Sequence, residues 1–84
     1  MTVRRTIYEV IDEERGYQDE KWGSIEDYET DMAAWVVHIE RHLEKAKAAV
    51  YERKDKEVLS EIRKIAALGV AAMEEHGFVR RNEE

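Results

Sequence analysis

The chain has 84 residues and therefore forms one domain with a small core. Charged residues make up 40% of it, and it has neither cysteine nor proline, which is typical of long, surface-charged helices in a reducing compartment. Its net charge of -6 argues against nonspecific nucleic-acid binding, and no segment resembles a membrane span or a signal peptide. We expect a single cytoplasmic domain over residues 1–84, with a frayed tail at residues 79–84.

Apolar residues at helical spacing predict a first helix from about Val3 to Glu20. Its apolar stripe is formed by Val3, Ile7, Val10 and Ile11. The stripe continues onto Glu14, Gln18 and Trp22, although buried polar groups need hydrogen-bond partners or a cavity. Two interpretations stay open: these three side chains line a pocket, or the helix leaves the core here and Glu14 and Arg15 are solvated.

Gly23 predicts a break after the first helix. Ser24 and Asp27 resemble a capping box, and a short turn or helix is expected over residues 25–28. Thr30 is a second candidate N-cap. The connection between the first two helices is therefore expected to end at Thr30.

The second helix is predicted from about Thr30 to Glu52 and is expected to be the longest of the three. Its apolar residues alternate spacings of four and three, as in a heptad seam that faces a partner helix. The seam consists of Met32, Val36, Ile39, Leu43, Ala46 and Val50. The charged residues 52–56 then predict the turn of a helical hairpin.

The third helix is predicted from Glu57 to a C-cap at Gly77. Its core stripe is Val58, Ile62, Ile65, Gly69 and Ala72, with Leu59, Ala66 and Met73 beside it. We attribute Gly69 to close helix–helix contact, because glycine in a helix interior costs about 1 kcal/mol. The side away from this stripe carries Leu68, Val70 and Ala71. One short chain cannot cover them, which predicts a homodimer or a higher homo-oligomer.

Several charged side chains are candidates for a metal site. Glu40 and Glu44 are one helical turn apart, so their carboxylates either converge on a cation or stand on a solvated face. His38 and His42 have the same spacing and are either a transition-metal pair without an evident third ligand or ordinary helix-flank histidines. Glu61 points toward apolar positions, where it either pairs with Lys64 or is held for Mg²⁺.

Two segments together carry a family resemblance. The first reads E-R-x-x-Q-x-x-K-W-G, and the second, after a helix that contains Trp35, reads E-x-x-K-x-A-A-L-x-V-A-A-x-E. The matching positions are Glu14, Arg15, Gln18, Lys21, Trp22 and Gly23, and then Glu61, Lys64, Ala66, Ala67, Leu68, Val70, Ala71, Ala72 and Glu74. From Glu14 to Gly77 the chain resembles the small MazG-like proteins of phages and bacteria, which are all-α nucleotide pyrophosphohydrolases.

The resemblance implies an all-α, three-helix subunit that completes a helical bundle by homo-oligomerisation. Catalytic members of that family convert a nucleoside triphosphate to a monophosphate and pyrophosphate, using Mg²⁺ held by E-E-x-x-E and E-x-x-D motifs. Aligned on the apolar pattern, this chain has Arg41, His42 and Lys45 at acid positions of the first motif. In the second motif Glu61 is kept, and Lys64 replaces the aspartate.

We therefore expect a protein that holds a nucleotide between its helices, with the base stacked on Trp22 or Trp35. Arg41, Lys45 and Lys64 are expected to hold the phosphates, and Glu61 and Lys64 are expected to face a shared interior or cleft. Further ligand contacts are expected from Glu14, Gln18 and Lys21. One alternative is a Mg²⁺-dependent pyrophosphohydrolase with Glu40, Glu44 and Glu61 as its catalytic and metal-binding residues. The other is a helical interaction protein without a ligand.

Overall fold

A computed structural model describes residues 2–23 and 29–84. These residues form three α-helices and no strand: α1 (Val3–Trp22), α2 (Met32–Tyr51) and α3 (Asp55–His76). The all-α prediction is confirmed, whereas α3 with 22 residues, and not α2 with 20, is the longest helix. The predicted capping box at Ser24 and Asp27 and the turn over residues 25–28 lie outside the described residues. No helix in the described ranges is long and apolar enough to cross a membrane.

Local hydrogen bonds set the ends of the helices. α2 begins one residue later than predicted, because the Asp31 carboxylate, and not Thr30, accepts the N–H of Ala34 at 2.7 Å. α3 ends as predicted at Gly77, whose positive φ of 93° suits glycine. In the tail, where we expected fraying, Arg81–Glu83 form a single 3₁₀ turn and are exposed.

The face of α2 that packs on α3 shares Ile39 and Ala46 with the predicted seam, and its other positions each lie one residue before a seam position. The inward positions are Trp35, Ile39, His42, Ala46 and Ala49. Predicted seam residues that directly follow inward ones are instead exposed, with exposed fractions of 64% for Val36, 49% for Leu43 and 59% for Val50. Successive residues lie about 100° apart around the axis of an α-helix, so α2 carries two adjacent apolar stripes. The predicted seam is therefore wrong at Val36, Leu43 and Val50, because the stripe with Trp35, the larger side chain, packs into the core.

The core face of α3 also differs from its predicted stripe. The buried residues are Ala67, Leu68 and Ala71, whereas Leu59, Ile62 and Met73 are exposed. Leu68 and Ala71 therefore belong to the core of the single chain and do not form the uncovered apolar surface from which we predicted an oligomer. A methyl group added to Gly69 would meet nothing within 4 Å, so no contact inside the chain requires glycine there.

α3 lies between the other two helices and contacts both. The predicted apolar stripe of α1 is not buried against it: Val3 is 78% exposed and Ile7 is 50% exposed. The buried residues of α1 are instead Glu14, Arg15 and Gln18. α1 is thus held to α3 largely by polar side chains, and two of them, Glu14 and Gln18, are the positions onto which the predicted stripe continues.

Candidate functional site

A partly buried polar cluster joins α2 to α3. His42 donates a hydrogen bond of 2.6 Å from Nδ1 to Oε2 of Glu61, because an ionised carboxylate only accepts. The two side chains are 20% and 13% exposed. The other carboxylate oxygen of Glu61 lies 3.6 Å from Nζ of Lys64. Glu61 therefore has a partner on each helix, one on each oxygen.

The charges around Glu61 keep it ionised. Burial raises the pKa of this carboxyl group, but the hydrogen bond from His42 and the positive charges of Lys64, His42 and Lys45 outweigh burial. The pKa of Glu61 is consequently lower than that of an ordinary glutamate. At neutral pH Glu61 therefore carries a negative charge, which the charges of Lys64 and Lys45 stabilise.

The cluster opens into a cleft of about 320 Å³ between α2 and α3. The cleft is lined by Lys45, Ala49, Glu57, Ser60, Glu61 and Lys64. The expectation that Glu61 and Lys64 face a shared cleft is therefore met. Arg41, which we grouped with the two lysines, is exposed and is not among the lining residues. Two lysines and two glutamates balance the charge of the cleft, which is less cationic than expected.

A second cavity, of about 280 Å³, lies nearer the start of α2. It is lined by Trp22, Thr30, Trp35, His38 and Leu68. Trp35 is buried, and its ring meets that of His38 edge to face, with the centroids 6.3 Å apart. Trp22 is 46% exposed, and Nζ of Lys21 stands 5.9 Å from its ring centroid. The cavity thus combines two indoles and an imidazole.

Two residues at the end of α3 fix the position of the aromatic residues and Thr30 around this cavity, a role that no sequence pattern indicated. The Glu75 carboxylate accepts the N–H of Thr30 at 2.8 Å and the Nε1–H of Trp35 at 2.7 Å. The hydrogen bond from Thr30 is the largest effect on Glu75 and lowers its pKa. His76 donates from Nε2 to the carbonyl oxygen of Thr30 at 2.7 Å. No local pattern links residues 45 positions apart, so these contacts gave no sequence signal.

Glu14 and Gln18 were predicted to line a pocket with Trp22, but neither residue lines the aromatic cavity. Glu14 accepts a hydrogen bond from Nε of Arg63 at 2.8 Å, and Gln18 accepts one from Arg15 at 3.2 Å. The alternative, in which Glu14 and Arg15 are solvated, is wrong because both are buried. These side chains attach α1 to α3.

Arg15 is the centre of that attachment. Its guanidinium contacts Glu74 of α3 through two hydrogen bonds, of 3.0 and 2.8 Å, and Asp19 of α1 at 2.9 Å. The hydrogen bonds to Glu74 raise the pKa of Arg15 and lower that of Glu74. Such a bidentate pair fixes orientation as well as position. Arg15, which the family motif contains, is thus a structural residue here.

The candidate metal ligands are not brought together. Glu40 is exposed, and Glu44 is exposed with an ion pair of 3.5 Å to Lys47. His38 lines the aromatic cavity, whereas His42 bonds Glu61. Within residues 2–23 and 29–84, no group of three or more histidine, aspartate or glutamate side chains is placed to hold a metal ion. Glu61 is the one predicted metal ligand that lies in the cleft.

The two cavities open on the same flank of α2. His38 and Lys45 are seven residues apart, which is two turns and about 10 Å along the helix axis. Each directly precedes an inward-facing residue of α2.

Comparison with protein-family models, with curated proteins and with solved structures gives no match. The chemistry of these two cavities is therefore the basis for assigning a function.

Proposed function

We propose that this chain binds a nucleotide or a related phosphorylated small molecule along the groove between α2 and α3. One observation carries the proposal: an aromatic cavity and a lysine-containing cleft lie two turns apart on one flank of the same helix. A ligand with a planar ring at one end and phosphates at the other matches this arrangement. The resemblance to MazG-like proteins points to the same ligand class.

The aromatic cavity is the site for the ring. Trp35 already donates its Nε1–H to Glu75, so it acts as an apolar wall and not as a donor to the ligand. Trp22 presents a half-exposed indole at the edge of the cavity and is the residue on which a base stacks. Stacking of one base on an aromatic side chain contributes about 1–3 kcal/mol. His38 supplies a polar ring on the adjoining wall.

The lysine cleft is the site for phosphate. Lys45 and Lys64 supply the positive charge, and Ser60 supplies a hydroxyl group. Glu61 holds Lys64 on one oxygen and His42 on the other, so the cationic side chains are positioned before a ligand arrives. Arg41 stands outside the cleft, so we assign the phosphates to the lysines.

Binding without hydrolysis is favoured over catalysis. A Mg²⁺-dependent pyrophosphohydrolase needs several carboxylates around the metal, because Mg²⁺ prefers oxygen ligands. Glu40 and Glu44 do not form such a group with Glu61 in the described residues. The placement of Glu61 in the cleft still makes the hydrolase the second candidate. A helical interaction protein without a ligand is the third, and the exposed apolar side chains of α2 and α3 favour it.

One experiment separates the three functions. Nucleotides are titrated against the protein by calorimetry in EDTA and in Mg²⁺, and each mixture is analysed for pyrophosphate. We expect binding that persists in EDTA, is weakened by Lys64→Asp, and is unchanged by the control Lys47→Asp, whose lysine lies outside the cleft. Binding that requires Mg²⁺ together with release of pyrophosphate would establish the hydrolase. An absence of nucleotide binding both in EDTA and in Mg²⁺ would leave the helical interaction protein as the remaining candidate function.

We also propose that the subunit completes its core as a homo-oligomer. Val36, Leu43 and Val50 on α2 and Ile62 and Gly69 on α3 each directly follow an inward-facing residue. They therefore share one side of the hairpin, opposite the side with the lysine cleft. The open space at Gly69 would allow a second helix to approach closely. A copy of the same hairpin covers this face and creates a four-helix bundle.

A further inference from the structure

Trp22 is the residue that α1 contributes to the aromatic cavity among the lining residues that the structure describes. Trp35 and His38 of that lining belong to α2, and Leu68 belongs to α3. Trp22 is also the last residue of α1, so its position depends on where α1 is held. The cavity therefore has its outer wall only while α1 is docked on α3.

The docking of α1 near Trp22 is polar. Arg15 and Gln18 precede Trp22 by seven and four residues, so the three side chains share one face of the helix. Arg15 is buried, and its guanidinium contacts Glu74 of α3 through two hydrogen bonds of 3.0 and 2.8 Å. Trp22 thus lies two turns, or about 10 Å, beyond the point at which Arg15 fastens α1 to α3.

Apolar packing adds little to this docking. On the earlier turns of α1 the apolar side chains Val3, Ile7 and Val10 are exposed. A further link from α1 to α3 is again polar, because Arg63 donates a hydrogen bond of 2.8 Å to Glu14. Segments with few buried apolar contacts open at a lower cost in free energy than the core does. The ion pair of Arg15 therefore has a large share in deciding whether α1 is docked.

The last turn of α3 holds the second indole of the cavity as well. Glu75 follows Glu74 directly and accepts the Nε1–H of Trp35 at 2.7 Å. Two consecutive carboxylates thus fix the two tryptophans. The link from Glu75 to Trp35 is direct, whereas the link from Glu74 to Trp22 passes through Arg15 and the docking of α1. Loss of the Glu74 carboxylate should therefore displace Trp22 and leave Trp35 in place.

We propose that Arg15 and Glu74 are positioning residues of the ligand site, which dock α1 on α3 and thereby hold Trp22 against the bound ring. This coupling rests on the proposed function, in which the aromatic cavity takes the ring of a nucleotide. Neither Arg15 nor Glu74 lines the cavity. Because coupling between two equilibria is reciprocal, a ligand that contacts Trp22 also favours the docked state of α1.

Two variants that each remove one carboxylate from Arg15 test the proposal. Glu74→Ala removes the partner on α3, whereas the control Asp19→Ala removes a partner on α1 itself, 2.9 Å from the guanidinium. The two acidic side chains are similarly exposed, at 43% and 40%. Calorimetry measures the affinity for the four ribonucleoside triphosphates. We expect Glu74→Ala to weaken binding by about tenfold, the effect of losing one stacked base, and Asp19→Ala to leave it unchanged.

Two further titrations separate positioning from a general loss of structure. Inorganic triphosphate has no ring, and the lysine cleft lies between α2 and α3, so Glu74→Ala should not change its affinity. In a Trp22→Ala background, Glu74→Ala should weaken nucleotide binding no further, because the wall that docking holds in place is already gone. Additive losses from the two substitutions, or an equal loss of inorganic triphosphate binding, would overturn the proposal.

Fluorescence without ligand keeps this inference separate from the proposed function. The difference in acrylamide quenching between a protein and its Trp22→Phe counterpart reports the accessibility of Trp22. We expect this accessibility to rise in Glu74→Ala and to stay constant in Asp19→Ala. A rise in a protein that binds no nucleotide would refute the proposed function, and with it the coupling, while confirming that Glu74 holds Trp22. Nucleotide binding that is equal in wild type and both variants would refute the positioning role alone.

Discussion

His42 of α2 and Glu61 of α3 share a hydrogen bond of 2.6 Å in the middle of the helix pair. On both sides of it along α2, at Trp35 and at Ala46 and Ala49, the α2 face is apolar and buried. Lys64 lies on the second oxygen of Glu61. The pair is therefore both a packing contact between two helices and the anchor of the lysine cleft.

Removal of the Glu61 carboxylate should destabilise the protein. Glu61→Ala leaves the partly buried Nδ1 of His42 without its acceptor, and we expect a loss of about 1–3 kcal/mol in the free energy of unfolding. Urea denaturation measures it. Glu44→Ala, which removes an exposed ion pair with Lys47, should change the stability by less than about 0.5 kcal/mol. Equal losses for both variants would show that the His42–Glu61 hydrogen bond stabilises the protein no more than an exposed ion pair does.

Stability should fall in acid because of Glu61 and Glu74. Both have a pKa below the ordinary glutamate value of 4.5, so the folded state holds their protons less tightly than the unfolded state does. The resulting stabilisation is complete above about pH 4.5 and is lost as pH falls through the folded-state pKa values. Urea denaturation from about pH 6 to about pH 3 should show this loss. The difference between wild type and Glu61→Ala should narrow over the same range, and a constant difference would contradict the assignment.

Trp22 should determine affinity for the ring of the ligand. Trp22→Ala removes the exposed wall of the aromatic cavity, and we expect nucleotide affinity to fall by about tenfold, which is 1.4 kcal/mol. Isothermal titration calorimetry measures the change in Kd. Tyr17→Ala is the matched control, because Tyr17 is an exposed aromatic residue of the same helix that does not line the cavity. Equal changes in Kd for the two substitutions would show that Trp22 does not contact the bound nucleotide.

The exposed apolar face of α2 and α3 should control assembly. The double variant L43E/I62E places two charges in that face, and we expect it to convert the oligomer to a monomer in light scattering at micromolar concentration. Both side chains are half-exposed in the single chain, so the helix content should stay the same. Lys47→Glu, on the polar part of α2, should leave the molar mass unchanged. A wild-type protein that is already monomeric would refute the oligomer.

Local signals in the sequence were sufficient to locate the helices. The period of apolar residues, the break at Gly23 and the cap at Gly77 predicted three helices with ends within about two residues of those observed. These signals act between residues a few positions apart. For the same reason the sequence also indicated that Glu61 and Lys64, one turn apart, share a cleft.

The choice of the buried faces depended on contacts between helices. α2 offers two neighbouring apolar stripes, and the one with Trp35 is buried because Leu68 and Ala71 of α3 pack with it in one core. Pairing of His42 with Glu61, of Arg15 with Glu74 and of Trp35 with Glu75 likewise joins residues far apart in the chain. The periodicity of residues along one helix does not tell which residue of another helix forms the hydrogen bond with a buried polar side chain. Only the packed arrangement therefore showed that Arg15 joins α1 to α3, whereas Lys45 and Lys64 line the cleft between α2 and α3.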